Sequence, residues 1–241
     1  MNLLFNNQNY GGVSLKNKKR AGIMCTLVIT FCIIMAFVDG VLMAGYFFKS
    51  AIKLVLFLGI PLIYGAFDKT LALKGLFKLD KRGMAIALIP AIGIYAIILG
   101  GYLLLKDVFD FTMITGALTE NIGVTGKNFV FVSLYISFIN SLLEEFFFRG
   151  FAFLTLKKIT SGRFAYIFSA GAFALYHVAM MRGWFEIPVF IIIMVGLFAG
   201  GMIFNYLNDK SKTIYPSWLV HMFANFAINT VGFILFGIIG G

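Results

Sequence analysis

The 241-residue chain is 61% hydrophobic and only 12% charged, with a mean hydropathy of +0.95. Soluble domains carry about 25% charged residues, so this composition excludes a soluble globular protein and gives a polytopic membrane protein. The net charge of +10 fits basic loops between membrane spans better than a nucleic-acid surface, since no aromatic-rich soluble domain accompanies it.

The predicted fold is all-α, a polytopic transmembrane helical bundle. Residues 1–20 form a polar basic N-terminal segment ending in Lys16, Lys18, Lys19 and Arg20. The apolar run from Ala21 is too long for a signal peptide and shows no small-residue cleavage pattern, so it reads as a retained first span. Cys25 and Cys32 lie in that run as small packing residues and offer neither a disulfide framework nor a metal site. A helical span needs about 17–25 apolar residues, which predicts spans at 21–47, 51–67, 84–105, 129–148, 164–181, 188–207 and 217–239. The working count is seven, with an eighth short element around Gly150 to Leu156 as the alternative. The chain then divides into 1–20, N-terminal transmembrane helices over 21–124, and a segment 125–241 that carries the chemistry.

Loop charges orient these spans. With the N-terminus cytoplasmic, fifteen of the twenty basic residues fall on the inner side. Lys49, Lys53, Lys106, Lys127 and Arg182 fall outside, a bias in the sense that membrane topology follows. Seven of the ten carboxylates lie in loops or at their edges. The other three, Asp39, Glu144 and Glu145, lie inside spans, and both histidines sit inside spans or at their edges. Asp39 reads as a cap near the external end of the first span.

The stretch SLLEEFFFRGF, Ser141 to Phe151, is the costly one. Each charge at the centre of a membrane helix costs about 2.5–3.5 kcal/mol on the insertion scale, so this cluster must be paired, hydrated or chemically used. Glu145 and Arg149 are four apart and share a helix face, which predicts an ion pair. Glu144 is turned by about 100°, shares its face with Asn140, and is expected to lack a cation. Later, Phe173 and His177 are four apart, as are His221 and Asn225, with Asn229 a turn beyond. Three helices thus present polar faces that could line one hydrated pocket.

Such a pocket has readable chemistry. A carboxylate held partly away from water can take a proton from water, and a neutral imidazole can orient that water. A second imidazole and a side-chain amide can donate to the oxygen that becomes negative when water attacks a carbonyl. No GxSxG nucleophile motif is present.

The ordered motifs EEFFFR (Glu144 to Arg149), FALYH (Phe173 to His177) and HMFAN (His221 to Asn225) resemble the EExxxR, FxxxH and HxxxN motifs of the CPBP family. That family comprises the type II CAAX prenyl endopeptidases and the bacterial Abi proteins of bacteriocin processing and self-immunity. The resemblance covers roughly residues 125 to 235, making 125–241 a CPBP-like catalytic core. It implies an intramembrane endopeptidase acting on a membrane-associated or lipidated peptide or protein, in the bilayer of a bacterial plasma membrane. It implies that Glu144 activates water with His177, that His221 and Asn225 stabilise the oxyanion, and that Glu145 and Arg149 support the site. No cofactor is expected. Glu144, His177 and His221 could ligate zinc in principle, but HExxH is absent and Asn225 as the only further ligand would make an unusual zinc shell. The competing class is a non-enzymatic membrane scaffold or immunity protein. A transporter is less favoured because the chain shows no internal repeat.

Overall fold

Ser14 starts the first helix, α1 (Leu15–Leu42). Its hydroxyl accepts the Asn17 N–H at 3.3 Å, satisfying one donor that a helix start leaves open. Met43, left-handed at φ 43°, ends it. There follow α2 (Tyr46–Phe67), α3 (Lys81–Leu105), α4 (Thr112–Ile122), α5 (Phe129–Lys158), α6 (Gly162–Met180), α7 (Ile187–Ser211) and α8 (Tyr215–Leu235). The computed structural model describes residues 14–181 and 183–240. Residues 1–13 of the basic N-terminal segment, Gly241, and Arg182, assigned above to an external loop, lie outside them.

Six of these helices are long and apolar enough to cross a membrane, so the chain is an integral membrane protein. The predicted fifth span appears as the 19-residue α6. Its Arg163, Ser169 and His177 make it less apolar than those six. Two readings change. The element around Gly150 to Leu156 is not separate, because α5 continues without a break through Lys158. In the 106–128 connector, α4 forms from a Thr- and Gly-containing sequence that gives no strong helical signal.

α5 lies at the centre. Its Glu145–Thr155 stretch is wound as a π-helix, with all eleven residues buried. Such widened turns are uncommon and concentrate at functional sites. Phe147 stacks on Phe57 of α2 at a centroid distance of 4.1 Å and on Phe31 of α1 at 6.0 Å. Phe148 meets Phe173 of α6 edge-on at 5.4 Å. The triplet Phe146 to Phe148 is therefore interior, and its aromatic area glues α1, α2 and α6 to α5. α3 stands further out. Ala87 and Ala91 let it approach α7 and α8, while Ile89 and Leu104 are about four-fifths exposed, as a lipid-facing helix requires.

α8 begins inside the protein. Ile214 is fully buried, and its N–H donates to the Leu76 carbonyl at 3.1 Å, so the segment 73–77 folds in beneath it. The Leu76 side chain comes so close that a Cβ at Gly150 would lie 2.9 Å from it. This buried start, with Pro216 in the first turn of α8, resolves a depth problem in the sequence. His177 lies some 20 Å from the start of its helix at about 1.5 Å per residue, whereas His221 is only six residues into α8.

α6 and α7 touch through small residues. A Cβ at Gly201 would sit 3.0 Å from Ala170 Cα, whereas one at Gly200 meets nothing within 4 Å. Small residues allow this kind of close approach between membrane helices. Gly201→Ile is expected to reduce the folded yield sharply, with Gly200→Ile near wild type. Equal yields in detergent extracts would contradict the contact.

Candidate active site

The site is built on one turn of α5. Glu144 and Glu145 are 2% and 0% exposed, and Arg149 is 0% exposed. Adjacent on the helix, the two carboxylates point to different partners.

Glu145 faces α8. Its Oε1 accepts from His221 Nδ1 at 2.9 Å, its Oε2 accepts from the Ser217 hydroxyl, and Arg149 Nε lies 3.5 Å from Oε2. The expected Glu145–Arg149 pair is present but long. The guanidinium is held mainly by aromatic faces, with its carbon 3.9 Å from the Phe173 ring centroid and 4.8 Å from that of Phe204. Cation–π attraction is strongest when desolvated, as here. Among the described residues, none of the three guanidinium nitrogens has a hydrogen-bond partner.

Glu144 departs from expectation, because it does not lack a cation. Its Oε1 accepts from Lys53 Nζ of α2 at 3.1 Å and from Asn140 Nδ2 at 2.9 Å. Lys53 and Lys49, assigned from the sequence to an external loop, are 6% and 9% exposed within α2. Lys49 pairs with Asp39 at 3.1 Å, so Asp39 is a part-buried ion-pair partner rather than a cap. The sequence did contain a signal: two lysines one helical turn apart in an apolar, aromatic run, preceded by a lone intramembrane aspartate. Both lysines therefore leave the loops of the side that held fewer basic residues.

The second oxygen of Glu144 faces both histidines. His177 Nε2 is 4.0 Å and His221 Nε2 is 3.8 Å from Oε2. His177 Nδ1 lies 2.7 Å from the Phe173 carbonyl, which can only accept, so Nδ1 carries the proton. His221 Nδ1 likewise donates to Glu145. Both Nε2 atoms therefore face Oε2, and each presents a lone pair there when its imidazole is neutral. Separations of this size exceed a direct hydrogen bond and are ones that a single water can bridge.

Asn225 is one turn beyond His221 and does not share these bonds. Its Nδ2 donates to the Ile136 carbonyl of α5 at 3.2 Å. Asn229 donates to Ser133 O at 3.1 Å and Ser137 Oγ at 2.9 Å. Both amides join α8 to α5. The structure thus brings Glu144, Glu145, Arg149, His177 and His221 together, sets Asn225 at the edge, bonds Asn140 to Glu144 as their shared face implied, and adds Lys53 and Ser217, which the sequence had not placed in the site.

Residues 126–227 match the family model described as Rce1-like, type II CAAX prenyl endopeptidase, and all three motifs fall within this segment. Neither the curated proteins nor the solved structures gave a match.

Proposed function

We propose, from the match of residues 126–227 to the Rce1-like type II CAAX prenyl endopeptidase family model, that the chain is an intramembrane endopeptidase using glutamate-activated water. The observation that carries the reading is the convergence of His177 Nε2 and His221 Nε2 on Glu144 Oε2, at 4.0 and 3.8 Å. A water held there gives one hydrogen to Oε2 and the other to His177 Nε2. As its oxygen attacks the scissile carbonyl, Glu144 takes the first proton and later delivers it to the leaving amine. The other carboxylate oxygen, Oε1, bonded to Lys53 and Asn140, keeps it oriented.

The oxyanion needs donors. Asn225 has one amide hydrogen beyond the bond to Ile136. His221 can donate only with a proton on Nε2, and Glu145, 2.9 Å from Nδ1, is placed to balance that imidazolium. The substrate class is a peptide or protein presented at the bilayer, lipidated or not, and the inner side is the one richer in loop lysines and arginines.

The metal-free mechanism is favoured on two grounds. In a tetrahedral zinc site with bonds near 2.0–2.1 Å the ligand atoms lie about 3.3 Å apart, closer than the separations here. An ammonium 3.1 Å from Glu144 also places positive charge beside an intended cation ligand. Purified protein assayed on internally quenched peptides in lipid vesicles is expected to cleave them equally with and without chelator. His221→Gln and Asn225→Ala should each lower kcat by about 10²–10³, the effect of removing such a donor. KM should change little, because the interaction forms mainly in the transition state. Stoichiometric zinc with zinc-dependent recovery after chelation would move Glu144, His177 and His221 to ligand roles. A wild-type protein that cleaves nothing would leave the scaffold or immunity reading.

A further inference from the structure

Lys53 lies outside the matched segment 126–227, on a helix that contributes none of the three motifs. Its side chain is nevertheless built into the site. The ammonium lies 2.7 Å from Asn140 Oδ1 and 3.1 Å from Glu144 Oε1, and Asn140 returns its own amide hydrogen to the same Oε1 at 2.9 Å. The Tyr176 ring, one residue before His177, lies 5.0 Å from Nζ, and Phe57 lies 5.9 Å from it. An ammonium has three donors and no acceptor. Two of its sides meet oxygens of α5, and aromatic faces cover it from α2 and α6.

Both donors to Glu144 converge on one oxygen, and that asymmetry matters. A carboxylate held at Oε1 by two hydrogen bonds from fixed directions cannot rotate freely, so Oε2 stays turned toward the histidines. A purely structural ion pair has no need to leave one oxygen clear. The next basic residue on the same face, Lys49, is already neutralised by Asp39 and does not compete for Glu144. Opposite charges placed together are tolerated in apolar surroundings where a single one is not.

We propose that Lys53 is a positioning residue that clamps Oε1 of Glu144 and presents Oε2 to the water, so that the N-terminal helices complete a site whose motifs all lie in α5, α6 and α8. This rests on the hydrolase reading above.

The test uses the full chain in lipid vesicles. The probe is an internally quenched peptide with a farnesyl thioether on a cysteine four residues from its C-terminus. Lys53→Met is expected to lower kcat by roughly 10–100-fold, the usual cost of losing a partner that orients a reacting group, with KM within about twofold. Lys53→Arg should recover most of the loss. Lys53→Met should also melt lower than wild type, and adding Glu144→Gln should raise the melting point again. If Lys53→Met does not fold, Asn140→Ala removes the other half of the clamp without stranding a charge. It should reduce kcat at unchanged KM. Wild-type kcat in Lys53→Met, or in Asn140→Ala, alongside an inactive Glu144→Gln overturns the clamp alone. Equal losses in Lys53→Met and Lys53→Arg reduce the residue to packing. A wild-type chain that cleaves no peptide overturns the hydrolase reading and this proposal with it.

Discussion

Glu144→Gln is expected to lower kcat by about 10²–10⁴-fold, the share contributed by a positioned general base. The change keeps the shape of the side chain, and its amide oxygen still accepts from Lys53 and Asn140. What disappears is the ability to take a proton from water between Oε2 and the two histidines. The variant also leaves the Lys53 ammonium, 6% exposed, facing an amide instead of a charge. Folded yield is therefore expected to fall, contrary to what an unpaired Glu144 would give. Activity must be normalised to monodisperse protein. The double variant Lys53→Met with Glu144→Gln should regain yield and remain inactive. Turnover within tenfold of wild type in Glu144→Gln would end the glutamate-base mechanism.

The largest stability effect is expected at Arg149. Arg149→Ala leaves Glu145 as a buried carboxylate without its cation, a loss of roughly 3–5 kcal/mol. It also opens a void between Phe173 and Phe204, whose rings contact the guanidinium, and the lost packing adds to the cost. Combining Glu145→Gln with Arg149→Met removes both charges and refills the space, so much of the stability should return. Activity should not, because an amide is a weaker acceptor for His221 Nδ1–H and no longer balances a charged imidazole. Thermal melting in detergent of wild type, single and double variants measures this. Equal melting points for Arg149→Ala and the double variant would show that the two side chains are energetically independent.

The site was partly legible because helical spacing constrains neighbours on one helix. Four-residue spacing placed Arg149 on the face of Glu145, and the ion pair is there, although the widened turn and the aromatic rings leave it at 3.5 Å. The same spacing placed Asn140 beside Glu144, and that hydrogen bond forms at 2.9 Å. It could not reveal Lys53, which is 91 positions away from Glu144 and looked like a loop charge at the edge of an apolar run. Hydropathy alone cannot distinguish a lysine at the membrane surface from one paired inside. The expected oxyanion pair illustrates a second limit. His221 and Asn225 do share a face of α8, but the structure bonds them to different parts of α5: Glu145 and the Ile136 carbonyl.

The sequence by itself determined the helical membrane architecture, because apolar runs of spanning length admit few structures in lipid except helices that satisfy their own backbone. It also determined which carboxylates and imidazoles needed explanation, since charge in such runs is too costly to be incidental. Tertiary structure alone decided which of these groups meet. Ile214 starts α8 inside the protein, and α5 continues to Lys158, which together bring His177 and His221 to one oxygen of Glu144. Those depths depend on how helices pack and where connectors fold inward, and the energies that fix them come from contacts between residues far apart in the chain.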